Sequence, residues 1–244
     1  ATLERNQSTE AGDMDWQIMH DVSRGPLPVY RSAFPGGVRP TVSINCWPLI
    51  THMGPFAPNY ATGVHVVIPA QQAVPAHLVD PKAKNRSRLH YQMANLQAAR
   101  IGAGCWPVLL DTDGFLAEGT GWNIFLVKDS VIYTPEPRNI LLGVSRAVTM
   151  RLADALGMPV VETNLGRFEA LQADEMFCTA TTYCLVHASR FEGKSVGDGQ
   201  PGPVFQKLTE AWKQHTQVDF VAQAADYAQR LADWEQNQIG AVSG

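Results

Sequence analysis

The sequence lacks the patterns of membrane and nucleic-acid-binding proteins. Its longer apolar stretches, such as Val64–Ala70, fall far short of the roughly 20 residues that cross a bilayer. No signal-peptide pattern opens the chain, so we expect a cytosolic protein with no membrane partner. The 19 basic residues are scattered through a chain of net charge −4, which predicts no nucleic-acid partner.

Motifs for metal binding and for hydrolysis are also missing. The four cysteines have no CxxC spacing, and we expect them to be reduced core thiols. The seven histidines form no HExxH pattern, so no metal site is expected. Neither a GxSxG serine motif nor a Walker loop is present.

The N-terminal quarter of the chain predicts a small β-rich segment. Trp16–Val22 and Thr41–Trp47 alternate like half-buried strands, and Met53–Tyr60 is typical of a linker. A chain of 244 residues can hold one large domain or two modest ones. We therefore predict a remainder of a small domain at 1–52, an interdomain linker at 53–62 and a large domain at 63–244.

The rest of the chain mixes strands and helices. Asp113-Gly114 is a hairpin signal between apolar runs, and Gly157 is suited to close a helix. Apolar spacing and turn signals predict the strands Val64–Ile68, Val108–Asp111, Asn123–Lys128 and Ser130–Thr134, a strand restart at Val160, a strand-rich Met176–Ala188, and helices over Ser87–Arg100, Ser145–Leu156 and Val204–Gln236 before a polar tail.

Three tracts each offer one part of a binding site for pyridoxal phosphate. Glu118–Phe125 supplies a carboxylate, Leu141–Arg146 a helix start, and Ala173–Thr182 hydroxyl groups after a strand. A carboxylate such as Glu118 would keep the pyridine nitrogen protonated, which makes the ring a better electron sink. The phosphate favours a helix N-terminus, where unsatisfied amides point at it.

The helix start at Gly143-Val144-Ser145 fits a phosphate. Gly143 permits close approach of the backbone, and Ser145 is a natural N-cap. Thr179, Thr181 and Thr182 add hydroxyls at a strand end, although threonine also simply packs well in strands. An ordinary capped helix is the alternative interpretation of the glycine-serine pair.

Lys84 is the candidate for holding the cofactor as a Schiff base. A lysine does this only when its pKa lies below the free value of about 10.4, through burial or neighbouring cations. Lys84 precedes a predicted helix and is flanked by Arg86 and Arg88, which disfavour a further positive charge. The alternative is that Lys82–Arg88 is a solvated basic loop.

Together these tracts resemble the class IV (fold type IV) pyridoxal phosphate-dependent aminotransferases, a family that includes branched-chain and D-amino acid aminotransferases and aminodeoxychorismate lyase. The resemblance runs from about Lys84 to Pro203 and includes the tract Gly197–Pro203. It implies an α+β fold, with a small N-terminal α/β domain and a larger, β-barrel-like C-terminal α/β domain. It also implies a site in the cleft between domains, and a homodimer in which a loop of one subunit closes the site of the other.

The resemblance assigns roles to residues of this chain. Lys84 would be the Schiff-base lysine and would move the substrate proton as general base and acid. Glu118 would pair with the pyridine nitrogen. Phosphate contacts would come from Gly143, Val144, Ser145 and Thr181, and Thr182 would receive the substrate carboxylate.

The chain departs from the family pattern in two places. Ser87 stands where asparagine is commoner, and no His-Leu-x-Arg-Leu-like segment with the phosphate-clamping arginine is present. Our hypothesis is that an N-terminal part has been lost. Arg31 lies in Arg24–Pro35, where D-amino acid aminotransferases carry a carboxylate-trapping loop; it is a candidate substrate residue, with a solvated loop charge as the alternative.

The predicted function is transamination between an amino acid, branched-chain or otherwise hydrophobic and of either hand, and a 2-oxo acid. The amino-acid sequence of Glu118–Phe125 and Leu141–Arg146 favours the branched-chain enzymes. One alternative is a lyase of the aminodeoxychorismate type, which releases pyruvate and needs no amino acceptor. The other is a catalytically dead, truncated member that acts only as a folded or partner-binding protein.

Overall fold

The computed structural model describes residues 15–37 and 39–242, and only the backbone of 234–242. The described residues divide into two compact units, one formed by those within 1–55 and 226–244 and the other by residues 56–225. Part of the predicted domain 1–52 lies outside the described residues, namely positions 1–14 and 38. The functional domain boundaries at 1–52, 53–62 and 63–244 stay a prediction.

The smaller unit contains an antiparallel hairpin. Strands β1 (Trp16–Ser23) and β2 (Thr41–Pro48) pair over their whole length, and both confirm the strands predicted from alternation. A short 3-10 helix, Pro28–Ala33, lies in the connection between them. In the same unit the Tyr227 hydroxyl donates a 2.7 Å hydrogen bond to Asp15.

The stretch Met53–Tyr60, expected to be a linker, is helical. Apart from the turn residue Ala57, it falls within α1 (Ile50–Phe56) and α2 (Pro58–Thr62). Proline is a common loop signal, but Pro58 occupies the start of a helix, where its missing N–H costs nothing and its fixed φ is favourable. Gly63 ends α2 with a φ of +69°, which a glycine adopts without strain.

The larger unit is built on a mixed sheet. Its strands are β3 (Val64–Val67), β4 (Cys105–Leu110), β5 (Leu116–Gly119), β6 (Asn123–Lys128), β7 (Val131–Pro135), β8 (Val160–Thr163), β9 (Glu175–Ala180), β10 (Cys184–Phe191) and β11 (Lys194–Ser195). The spatial order is β5-β4-β3-β10-β9-β6-β7-β8, with β11 on β10. The pairs β3–β4, β3–β10 and β7–β8 are parallel and the others antiparallel.

Both faces of this sheet are covered, which explains why its central strands are continuous apolar runs. In β6, Ile124 and Leu126 belong to one buried cluster, whereas Phe125 and Val127 belong to another. The second cluster includes side chains of α4 (Val144–Ala155) and α6 (Pro203–Thr216). Helix α4 is thereby held against the sheet, and its first turn is fixed beside the strand ends.

The remaining helices are α3 (Leu89–Ile101), α5 (Arg167–Leu171) and α7 (Phe220–Val242). Helices α3 and α4 confirm two predicted helices, and Gly157 follows α4 with a φ of +69°, as its predicted role requires. The helical character predicted for Val204–Gln236 is confirmed, and the segment consists of two helices, α6 and α7. Gln217 adopts a φ of +57° and ends α6, and Asp219 accepts hydrogen bonds from the first-turn amides of α7.

The four cysteines are unpaired, and Cys178 is fully buried. In the part of the chain that the structure describes, no helix is both long enough and apolar enough to cross a membrane.

Candidate active site

A cavity of about 310 Å³ opens in the larger unit, at the lower end of the usual size range of small-molecule sites. All of its lining residues belong to residues 56–225. It brings together three of the predicted parts: Lys84, Glu118 and the start of helix α4. These parts are far apart in sequence, so their convergence is a property of the fold.

The Glu118 carboxylate is the best-defined group of the cavity. Glu118 lies in β5, at a β4–β5 hairpin whose turn contains Asp113-Gly114, and its side chain is 6% exposed. Tyr91 donates a 2.8 Å hydrogen bond to one carboxylate oxygen, and the Leu141 amide donates a 3.0 Å hydrogen bond to the other. The Asn123 amide group reaches the second oxygen at 3.5 Å.

Opposing effects set the charge of Glu118. Burial raises the pKa of the Glu118 carboxyl, because the charged form loses water. The hydrogen bonds from Tyr91 and Leu141 and the positive charges of Lys84 and Arg88 act the other way, and the pKa stays raised. The site thus holds a buried acid whose ionisation depends on its donors.

Lys84 lies in the loop between β3 and α3 and lines the same cavity as Glu118. Its side chain is exposed. Arg88, four residues further on, also lines the cavity and donates a hydrogen bond to the Thr120 carbonyl oxygen. Two cationic side chains therefore border one side of the cavity.

The first turn of α4 contributes Gly143, Val144 and Ser145 to the cavity wall. The structure corrects one detail, because the N-cap is Gly143 and Ser145 lies inside the first turn, where it is buried. The first amides of a helix have no acceptor within the helix. The Asn123 side chain supports this turn with a 3.0 Å hydrogen bond to the Leu141 carbonyl oxygen.

The threonines after β9 differ in their surroundings. Thr179 and Thr181 line the cavity, whereas Thr182 is half-buried in the following turn and is not among the lining residues. The Thr179 hydroxyl oxygen is buried and has no hydrogen-bond partner within the described residues. An unpaired buried hydroxyl beside a polar cavity fits a ligand with acceptor oxygens.

Arg31 is exposed in the 3-10 helix of the smaller unit, and its assignment to the substrate stays a prediction.

Sequence reasoning missed Tyr91 and Asn123, which hold Glu118 and the segment that leads into α4. Among the described residues no group of three histidine, cysteine or acidic side chains is placed to hold a metal ion.

Comparison with protein families decides the class of this chain. Residues 2–191 match the family model described as Amino-transferase class IV. The chain belongs to the class IV aminotransferases. The family resemblance inferred from its tracts is confirmed.

Individual members of the family match parts of the chain. The branched-chain-amino-acid aminotransferase of Pseudomonas aeruginosa is 38% identical over 131 residues, which is 54% of this chain and 43% of that protein. The D-alanine aminotransferase of Bacillus licheniformis is 34% identical over 110 residues, 45% of this chain and 39% of that protein. The chain thus matches less than half the length of these two class IV aminotransferases.

A solved structure supports the fold. The branched-chain amino acid aminotransferase of T.th., determined with pyridoxamine 5'-phosphate, superposes with a TM-score of 0.73 at 26% identity, covering 86% of this chain and 67% of that one. The predicted α+β architecture of fold type IV is confirmed.

Proposed function

We propose that the chain catalyses pyridoxal phosphate-dependent transamination between an amino acid, branched-chain or otherwise hydrophobic, and a 2-oxo acid. One observation carries the proposal: the buried Glu118 carboxylate, held through both oxygens, shares a cavity with Lys84 and the start of α4. A buried acid next to a lysine and a helix N-terminus matches the chemistry of the cofactor, which has a basic ring nitrogen, an aldehyde and a phosphate.

The residues present fit this cofactor. The amides of Val144 and Ser145 would hold the phosphate together with Thr181, and the unpaired Thr179 hydroxyl supports a further acceptor in the same place. Glu118 would accept the ring N–H, because an ionised carboxylate has lone pairs left after the contacts with Tyr91 and Leu141. Lys84 would hold the cofactor covalently through its amine.

When bound, pyridoxal phosphate supplies an electron sink for the negative charge that develops at the substrate α-carbon. The chain's own residues would handle protons and position. Lys84 Nζ would take the proton from the α-carbon, and Glu118 would keep a proton on the ring nitrogen by remaining ionised. Thr182 and Arg31 are our candidates for receiving the substrate carboxylate.

The substrate proposal rests on the names of the relatives, which include both branched-chain and D-alanine aminotransferases. The test is product analysis with pyridoxal phosphate, a 2-oxo acid such as 2-oxoglutarate, and either L-leucine or D-alanine. Amino transfer that requires the 2-oxo acid supports the proposal. Pyruvate release without an acceptor, from aminodeoxychorismate, would indicate a lyase, and no turnover with any donor would favour a catalytically dead member.

We further propose that the chain forms a homodimer. Helix α3 presents three apolar side chains on one face, Leu89, Met93 and Leu96, which are 74%, 42% and 60% exposed. Its opposite face buries Ala94 and Ala98. An apolar helix face that is not buried in the core supports burial against a second copy of this chain.

A further inference from the structure

The Tyr91 side chain connects helix α3 to the buried carboxylate of the cavity. Its hydroxyl donates to one oxygen of Glu118 at 2.8 Å, from a position 27 residues earlier in the chain. The donors to the other oxygen are the Leu141 amide and the Asn123 side chain, which both follow Glu118 in the chain. Tyr91 is therefore the one described donor to Glu118 Oε1, and it fixes the rotation of the carboxylate plane.

Tyr91 is itself held in place. The Arg88 guanidinium lies over the Tyr91 ring, 4.6 Å from its centroid, and Arg88 is anchored by its hydrogen bond to the Thr120 carbonyl. Thr120 in turn donates a 2.9 Å hydrogen bond to Asn95 of α3. The ring is thus placed by two neighbouring contacts, so its hydroxyl has little freedom to leave Glu118.

The direction of this hydrogen bond is fixed by the chemistry of both groups. Burial raises the pKa of the Tyr91 hydroxyl far above its ordinary value, and the negative charge of Glu118 raises it further. The hydroxyl keeps its proton and acts as a donor. Its hydrogen bond therefore stabilises the ionised form of Glu118 over the protonated form.

We propose that Tyr91 is a positioning residue that keeps Glu118 ionised and oriented to pair with the ring nitrogen of the cofactor. The inference rests on the proposed function, since it assigns Glu118 to that nitrogen. Tyr91 acts through Glu118 and needs no contact with the substrate. The groups that face Glu118 are Tyr91, Asn123, Lys84 and Arg88, together with the Leu141 amide.

The test is a titration of the whole chain with pyridoxal phosphate, followed by absorbance from pH 5 to 9, for the parent and Tyr91→Phe. The variant removes only the hydroxyl. Hydrogen bonds to charged groups are strong enough that we expect the cofactor Kd to rise about tenfold at neutral pH. The acidic limb of cofactor binding should also shift to higher pH, because Glu118 then protonates more readily.

Two further variants separate positioning from stability. Tyr60→Phe removes a tyrosine hydroxyl that donates a 2.9 Å hydrogen bond to the Tyr183 carbonyl and does not line the cavity. This variant should leave the pH dependence of cofactor binding unchanged. In a Glu118→Gln background there is no carboxylate to titrate, so adding Tyr91→Phe should produce no further pH shift. A thermal melt of each variant reports any general loss of folding.

The outcomes are distinct. If the parent chain forms no visible cofactor band, or if the band is also present in Lys84→Ala, the proposed function is overturned and this inference with it. A Lys84-dependent band whose Kd and pH limb are the same in Tyr91→Phe and the parent would overturn the inference alone. A pH shift in Tyr91→Phe that persists in the Glu118→Gln background would also overturn it.

Discussion

The Asn123 side chain occupies the space that a β-carbon on residue 143 would need. A β-carbon at Gly143 would overlap Asn123 Oδ1, although the backbone there, with φ −60° and ψ 139°, is open to any residue. Gly143 is therefore required for space and not for conformational freedom. Because Asn123 also bonds Leu141 and reaches Glu118, this contact couples the start of α4 to the carboxylate.

Gly143→Ala should accordingly damage the cavity. Asn123 must move and give up its hydrogen bonds, and overpacking of this kind costs about 1–3 kcal/mol of stability. We expect a lower midpoint of denaturant unfolding and weaker binding of pyridoxal phosphate. The matched control is Gly36→Ala, since a β-carbon there meets nothing within 4 Å. Equal behaviour of the two variants would contradict the coupling.

Arg146 and Glu162 should respond unequally to substitution. Arg146 is 6% exposed and bonds Glu162 at 2.5 Å and the Pro135 carbonyl at 3.1 Å, whereas the Glu162 side chain is 39% exposed. Glu162→Gln leaves a buried cation without its counter-charge, while Arg146→Met leaves a carboxylate that water can reach. We expect the first change to destabilise more, by about 1–3 kcal/mol of unfolding free energy. Chemical denaturation of both variants decides it, and a larger loss in Arg146→Met would count against this account.

His187 should make the fold sensitive to acid. The ring is 3% exposed, neither nitrogen has a hydrogen-bond partner within the described residues, and a β-carbon on Gly63 would lie 2.6 Å from Nε2. Burial lowers the pKa of His187 below its ordinary value. Below about pH 6.5 the unfolded chain then binds a proton that the folded chain does not, so the free energy of unfolding falls as pH falls.

The measurement is the unfolding free energy of the parent and His187→Met between pH 7.5 and 5. His52, His65 and His90 also have lowered pKa values, so the variant should lose only part of the pH dependence. His20→Met, at an exposed position in β1, serves as the control. A slope in His187→Met as steep as that of the parent would show that this ring does not contribute.

The apolar face of α3 predicts the effect of a charge on assembly. Leu96→Glu places a carboxylate within this face, opposing burial against a second copy. We expect sedimentation velocity to show a dimer for the parent and a shift toward monomer for the variant. Leu78→Glu, at a position that is 67% exposed and outside α3, should leave the mass unchanged. A parent that sediments as a monomer would refute the dimer.

Local patterns predicted much of the fold because they reflect local physics. The alternation in Trp16–Val22, the apolar run of Asn123–Lys128 and the capping glycine Gly157 each specify an element without distant partners. The helix at Pro58 was missed because proline is favourable at a helix start as well as in a loop. Gln217 was missed because a non-glycine residue with positive φ leaves no sequence signal.

The candidate site was predictable only in part, for a similar reason. Glu118 and Gly143 stand out through their neighbours in sequence, and the structure brings both to one cavity. Tyr91 and Asn123 matter through contacts that only the folded sheet creates, across 27 and 18 residues respectively. Their roles could not be inferred from spacing, because nothing local distinguishes them from ordinary helix and strand residues.

The central claim is that Lys84 and its cavity bind pyridoxal phosphate, and an absorbance spectrum tests it most directly. The purified chain is mixed with the cofactor beside Lys84→Ala and the control Lys82→Ala, whose side chain pairs with Asp80 and does not line the cavity. The account predicts a visible band in the parent and in Lys82→Ala that is absent in Lys84→Ala. Spectra of free cofactor in all three, or a band that survives in Lys84→Ala, would contradict it.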